Sequence, residues 1–172
     1  IWELSEKEID LVFDVDLKGT VIASKMIMEE MARQHKGAIY NVEGYGSNDA
    51  MMLGLSIYGT SKRAITYFTS ALAKESMEKN TGVIVGKLSP GIMITDFIVT
   101  ALGDKEKIDL PEKTKNVYNI LGDYPDVVAK YLVNRMINNT DNNIRINWLN
   151  TKIAMLKFMM ASFKKRDVFK EK

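Results

Sequence analysis

Cysteine is absent from all 172 residues, which excludes disulfides, thiolate nucleophiles and thiolate-ligated metals. A single histidine, His35, leaves little from which to build a transition-metal site, and none is expected. No apolar run reaches the length of a bilayer span and no signal peptide opens the chain; on those absences the protein is read as cytoplasmic. Charge of one sign is lacking as well, because 24 Lys and Arg are dispersed among 22 Asp and Glu for a net charge of +2. A basic surface that could track phosphates is available only locally, in the tail, so no nucleic-acid partner is expected. There is no internal repeat and no low-complexity linker. What remains, 46% hydrophobic and 27% charged, is the composition of one globular domain with a full core. The chain opens at Ile1 without a methionine and enters a helical pattern almost at once, so it reads as the later part of a longer domain.

The organisation is α/β. "SEKE", residues 5–8, has the form of a capping box, with Ser5 as N-cap and Glu8 returning the bond, and predicts a helix from there to about Arg33. "AIYNVE", 38–43, is a short β-rich apolar run after Gly37, and "GYGSND" beyond it reads as a loop. From Tyr58 to about Lys79, the apolar or small residues Ala64, Ile65, Phe68, Leu72 and Ala73 form a helical stripe. "GVIVGKL", 82–88, predicts a second strand ending at Ser89-Pro90-Gly91. Residues 103–115 read as a polar loop, "YPDVVAKYLVNRMI" as a helix and "NIRINWL" as a third strand. Strand, helix, strand, helix, strand is the grammar of a parallel sheet with crossover helices.

Within "SIYGTSKRAI", 56–65, Tyr58 and Lys62 stand four residues apart, which on a helix places both side chains on one face. A phenol ionises near pH 10, and an ammonium held beside it favours the phenolate, making a usable general acid/base. The same spacing also arises as a half-buried phenol beside a solvated lysine. About thirty residues on, "LSPGIMITD" puts Pro90, Gly91 and Thr95 directly after a buried strand, where parallel α/β sheets place ligands.

With these pieces the sequence resembles the short-chain dehydrogenase/reductase family over roughly residues 8–100. The matching motifs are "VFDVDLKGT", "GAIYNVEGYGS", "YGTSKRA" and "LSPGIMITD", in the family's order. The resemblance implies a Rossmann-type doubly wound parallel sheet, NAD or NADP as coenzyme and a small-molecule carbonyl or alcohol substrate. It makes Tyr58 the acid that protonates the substrate oxygen during hydride transfer. Lys62 lowers the Tyr58 pKa and binds the nicotinamide ribose, while Pro90, Gly91, the main chain at Met93 and Thr95 line the nicotinamide. It also implies a homodimer that pairs the helices at 5–33 and 58–79 with their symmetry mates. The G-x-G-x-x-G fingerprint of the coenzyme phosphate cradle is absent from the chain, so residues 1–172 are expected to be the C-terminal part of one Rossmann domain.

Two positions depart from the family. Asp16, in "VDLKG", stands where an asparagine is usual; it can serve through its main chain, or its carboxylate can pair with Lys62 and blunt the effect on Tyr58. Where the family has its catalytic serine, "NVEG" keeps Asn41 but carries Glu43 and Gly44. Ser47 in the loop can stand in for that hydroxyl toward the substrate, but turn chemistry is its favoured role. A serine introduced at Gly44 is expected to leave activity intact or to raise it toward small carbonyl substrates. This pattern, with "IRINWLNTKIAMLKFMMASFKKRDVF" at the end, resembles the branch of the family that contains chlorophyll b reductase. That branch implies a bulky hydrophobic carbonyl substrate, for which Met51, Met52, Leu53 and Leu55 suit a pocket wall or, equally, core or subunit packing. Two alternatives stand beside it. One is a non-catalytic binding or regulatory subunit, favoured by Gly44 and Asp16. The other is a tail whose Ile153, Leu156, Met160 and Phe163, flanked by Lys157, Lys164, Lys165 and Arg166, contacts a membrane surface instead of docking on its own domain.

Overall fold

Ser5 opens the first helix as its spacing predicts: its main-chain N–H donates to Glu8 Oε2 at 2.8 Å, and Glu8 N–H returns a bond to Ser5 Oγ at 3.3 Å. The computed structural model of the chain describes residues 1–95, 112–161 and 166–168. The expected helix over 5–33 is present, in three parts: α1 (Glu6–Val12), a π-helical stretch (Phe13–Lys18) and α2 (Gly19–Arg33). In the π stretch the ladder widens by one residue, the Gly19 N–H reaching Asp14 O. Such an insertion re-aims side chains and is a recurrent device at functional sites.

The chain falls into two compact units, and each is described by itself. The first comprises residues 1–89 and 139–146. In it β1 (Gly37–Val42) and β2 (Val83–Ser89) pair in parallel from Gly37↔Val83 to Val42↔Leu88, joined by α3 (Ser56–Glu78). A third strand, β3 (Arg145–Asn147), lies beside β2, giving the order β1-β2-β3. The core is Ile39, Ala73, Val83 and Val85, with Met28, Met31 and Leu72 packed against it. Val85 and Ile65 are sealed from water, worth about 1.5–3 kcal/mol each in hydrophobic burial.

The buried face of α3 is unusual in being small and hydroxylic: Ser61, Thr66, Thr69, Ala73 and Ser76, with Ile65 the only large apolar member. Small side chains let the helix approach the sheet closely, and their hydroxyls need internal partners. Thr69 donates to Ile65 O at 2.7 Å and Ser76 to Val83 O at 2.7 Å, so burial leaves neither unpaired.

The second unit comprises 90–138 and 147–172. Here α4 (Glu112–Leu121) corrects the expectation of a polar loop through residue 115; residues 103–111 lie outside the described residues. α5 (Pro125–Ile137) starts with proline at its first position, where the missing N–H costs nothing. The tail forms α6 (Thr151–Ala161). Asp123 organises this unit. Its main chain bonds to Ile92 O at 3.0 Å and receives Ile94 N–H at 2.9 Å, while its carboxylate accepts Trp148 Nε1 at 2.7 Å and pairs with Lys157 and Arg166. Two cations of the expected membrane-facing set are thus engaged inside the unit; Phe163, Lys164 and Lys165 lie outside the described residues.

Candidate functional site

Three segments of the first unit converge on Tyr58. Helix α3 carries Tyr58 in its first turn and Lys62 one turn later, with Lys62 Nζ 5.4 Å from the centre of the Tyr58 ring. The π stretch presents Asp16, whose Oδ1 lies 3.2 Å from Lys62 Nζ and whose Oδ2 lies 3.2 Å from Ser61 Oγ. The end of β1 delivers Glu43 and Gly44 to the same place.

Gly44 lies directly beneath the phenol. A Cβ built on it would fall far inside contact distance of the Tyr58 hydroxyl and 3.0 and 3.2 Å from Lys62 Cγ and Cδ. A side chain at 44 therefore requires the Tyr58 hydroxyl to shift, which weighs against the expectation that a serine there leaves activity intact. Gly44→Ala and Gly44→Ser are expected to leave the melting temperature of the full-length protein nearly unchanged while lowering turnover at least about tenfold, because the phenol must move. Thermal melts and steady-state rates on the same preparations check this. The next glycine is needed for a second reason. Gly46 has φ +96°, and a Cβ there would come 2.6 Å from Gly59 Cα, so loop and helix meet backbone to backbone.

Ser47 is buried, and its hydroxyl is fully used in holding this loop. It accepts from Gly44 N–H at 3.1 Å and donates to Lys62 O at 3.2 Å. Arg63 adds a bond to Ser47 O at 3.0 Å. Asn41 is likewise internal, between Ser24 Oγ at 3.2 Å and Thr69 Oγ1 at 3.0 Å.

Of the two roles open to Asp16, the structure shows its carboxylate paired with Lys62 at 3.2 Å. Burial, and then the nearby Asp16 carboxylate, push the Tyr58 phenol above its ordinary value near 10. Among the described residues the Tyr58 hydroxyl makes no hydrogen bond, so it is available to an incoming oxygen.

One anchoring group was not foreseen. Glu43 is buried and receives Arg145 Nε at 2.7 Å, Arg145 Nη2 at 2.8 Å and Thr66 Oγ1 at 2.8 Å. This fork pins the residue just before Gly44. Arg145 is 102 positions away in the chain, and no local pattern announces the pairing.

The remaining predicted positions belong to the second unit. Pro90 is buried, Gly91 sits at φ +72° with Leu149 against it, Met93 bridges to Asp123, and Thr95 is half-buried. Met51, Met52 and Leu55 line an open groove of about 740 Å³ with Tyr45, Gly59 and Tyr67; neither Tyr58 nor Lys62 is part of its lining.

The sequence profile of the short chain dehydrogenase family matches residues 1–106, and the chain belongs to that family. The likeness to its chlorophyll b reductase branch is met by plant relatives. The chain is 30% identical over 135 residues to a probable chloroplastic chlorophyll(ide) b reductase of Arabidopsis thaliana, covering 78% of this chain and 25% of that protein. A second chlorophyll(ide) b reductase of the same plant is 29% identical over 133 residues, covering 76% and 36%. The chain thus spans about a quarter to a third of the length of these curated relatives. Solved structures share the fold. A gluconate 5-dehydrogenase from Burkholderia cenocepacia, solved with NADP and tartrate, superposes with a TM-score of 0.69 at 13% identity, over 89% of this chain and 58% of that one. The expected α/β Rossmann-type architecture is therefore present.

Proposed function

We propose that the protein to which this chain belongs is an NAD(P)-dependent oxidoreductase that interconverts a carbonyl and an alcohol, acting as a reductase on a bulky hydrophobic carbonyl. The observation that carries this reading is the Tyr58 hydroxyl, without a hydrogen-bond partner among the described residues, standing over the bare backbone of Gly44 with Lys62 one turn behind it. The donor set fits the coenzyme: an ammonium and a phenol on one helical face suit a ribose diol. NAD(P)H supplies the hydride when bound. Tyr58 then gives its proton to the carbonyl oxygen as the carbonyl carbon is reduced, leaving an alcohol and a phenolate that water reprotonates. Gly44, locked by Ser47 and by Glu43 beside it, leaves the carbonyl to be oriented without a serine hydroxyl. The chlorophyll(ide) b reductase relatives support the bulky substrate, and a pterin aldehyde reductase of Arabidopsis thaliana, at 30% identity over 109 residues, supports carbonyl reduction.

The same reading includes a two-fold homodimer, for which the exposed apolar residues Leu11, Val15, Ile22, Met26 and Tyr67 on α1, the π stretch, α2 and α3 provide material. The test uses the full-length protein with NADPH or NADH and a graded set of aldehydes and ketones, following coenzyme oxidation. Turnover that improves with the apolar size of the carbonyl is the expected result. Coenzyme binding with no turnover of any carbonyl would favour a binding or regulatory subunit instead.

A further inference from the structure

Asp16 is held in three ways. The wide π turn presents it toward α3, its carbonyl accepts Thr20 Oγ1 at 2.7 Å, and its two carboxylate oxygens meet Lys62 and Ser61. The ion pair with Lys62 is mostly shielded from solvent, the two side chains being 24% and 15% exposed. Lys62 Nζ accordingly lies over the Tyr58 ring, 5.4 Å from its centre, and makes no hydrogen bond to the hydroxyl among the described residues.

We propose that Asp16 is a positioning residue that captures the Lys62 ammonium and keeps it from the Tyr58 oxygen, so that the site offers a phenol, not a phenolate, through neutral pH. This deepens the reductase reading and rests on it. A carbonyl needs a proton donor, whereas oxidation of an alcohol needs the phenolate as base. The site therefore sustains reduction from neutral into alkaline pH, while oxidation climbs with pH over the same range.

The other charges on the elements around the phenol are already committed or exposed. Asp14 pairs with Lys18 at 3.1 Å on the π stretch, Asp49 pairs with Arg63 at 3.0 Å, and Glu43 is spent on Arg145. On α1, Glu6, Lys7, Glu8 and Asp10 belong to a helix with no buried residue. The Tyr45 hydroxyl donates to Met51 O at 3.1 Å. Asp16 is the carboxylate whose field raises the Tyr58 phenol, in the same direction as burial.

The decisive variant is Asp16→Asn in the full-length protein, which keeps the shape and removes the charge. Freed Lys62 then turns toward the phenol, and the pH breaks of both reaction directions move to lower pH. Because an enzyme cannot alter the overall equilibrium, kcat/KM at pH 7 must rise by one common factor in both directions, about tenfold for a charge acting at this range. Asp16→Glu should keep the breaks in the alkaline region. A second readout needs no turnover: the ultraviolet absorbance of tyrosinate is followed against pH, and the Tyr58 contribution is isolated by subtracting the Tyr58→Phe protein. That signal should appear at lower pH in Asp16→Asn than in the unsubstituted protein. If the Tyr58 signal is unmoved, the proposal is overturned; if it moves in a protein that turns over no carbonyl, the role of Asp16 stands and the reductase reading falls.

Discussion

Tyr58→Phe in the full-length protein is expected to lower kcat by ~10²–10⁴-fold while leaving coenzyme affinity and the melting temperature close to those of the unsubstituted protein. The substitution removes one oxygen from a ring whose packing is otherwise retained, and that oxygen has no hydrogen-bond partner among the described residues, so no fold contact is lost with it. The loss belongs in kcat because the proton is transferred only as charge develops on the substrate oxygen. Lys62→Met separates the two duties of the lysine. It removes the ribose contact, so coenzyme binding weakens, and it leaves Asp16 facing the phenol without its counter-ion, so turnover falls as well. Stopped-flow coenzyme titration beside steady-state rates distinguishes the two. Full turnover by Tyr58→Phe would show the tyrosine and lysine to be structural, and would hand the function to a binding role.

Most of the scaffold of the first unit is legible in the sequence because it rests on local rules. The Ser5–Glu8 box, the strand at 38–43, the helix begun near Tyr58 and the strand at 82–88 all appear within a residue or two of their expected bounds. The pairing of Tyr58 with Lys62 follows from helical spacing alone. Two things escaped. A π insertion changes the ladder by one residue without disturbing an apolar stripe, so the stretch at Phe13–Lys18 read as ordinary helix. The segment at Glu112–Leu121 opens with "EKTKN", whose polarity hides a helix whose apolar residues come only in its second half. The electrostatics at Tyr58 depend on which partner Lys62 takes; the sequence left two roles open to Asp16, 46 positions away, and only the fold shows its carboxylate on Lys62.

Arg145→Met should be the most damaging single change to stability around the site, costing about 2–4 kcal/mol in the urea unfolding of the full-length protein. Removing Arg145 leaves the Glu43 carboxylate, 3% exposed, with the Thr66 hydroxyl as its remaining side-chain donor, whereas Arg145 itself is 38% exposed and can turn to water when Glu43 is the partner removed. Glu43→Gln should therefore cost about half as much, and Thr66→Val about 1 kcal/mol, the worth of one hydrogen bond. Lys87 works in the opposite direction. It is buried, bonded to Ser70 Oγ at 2.9 Å and Asn143 Oδ1 at 2.6 Å, and its pKa is lowered by burial and then by the Arg145 charge. Loss of Arg145 relieves that repulsion, which keeps the expected cost below that of a fully enclosed pair. Replacing both partners, Glu43→Leu with Arg145→Met, should recover much of the stability, since neither charge is then stranded. It should not recover activity. Glu43 precedes the glycine on which Tyr58 rests, and once the fork is gone the Ser47 turn and the main-chain bond from Glu43 N–H to Leu88 O, at 2.8 Å, are what hold Gly44 beneath the phenol among the described residues. A double variant as stable as the unsubstituted protein and equally fast would show that the fork serves the fold alone.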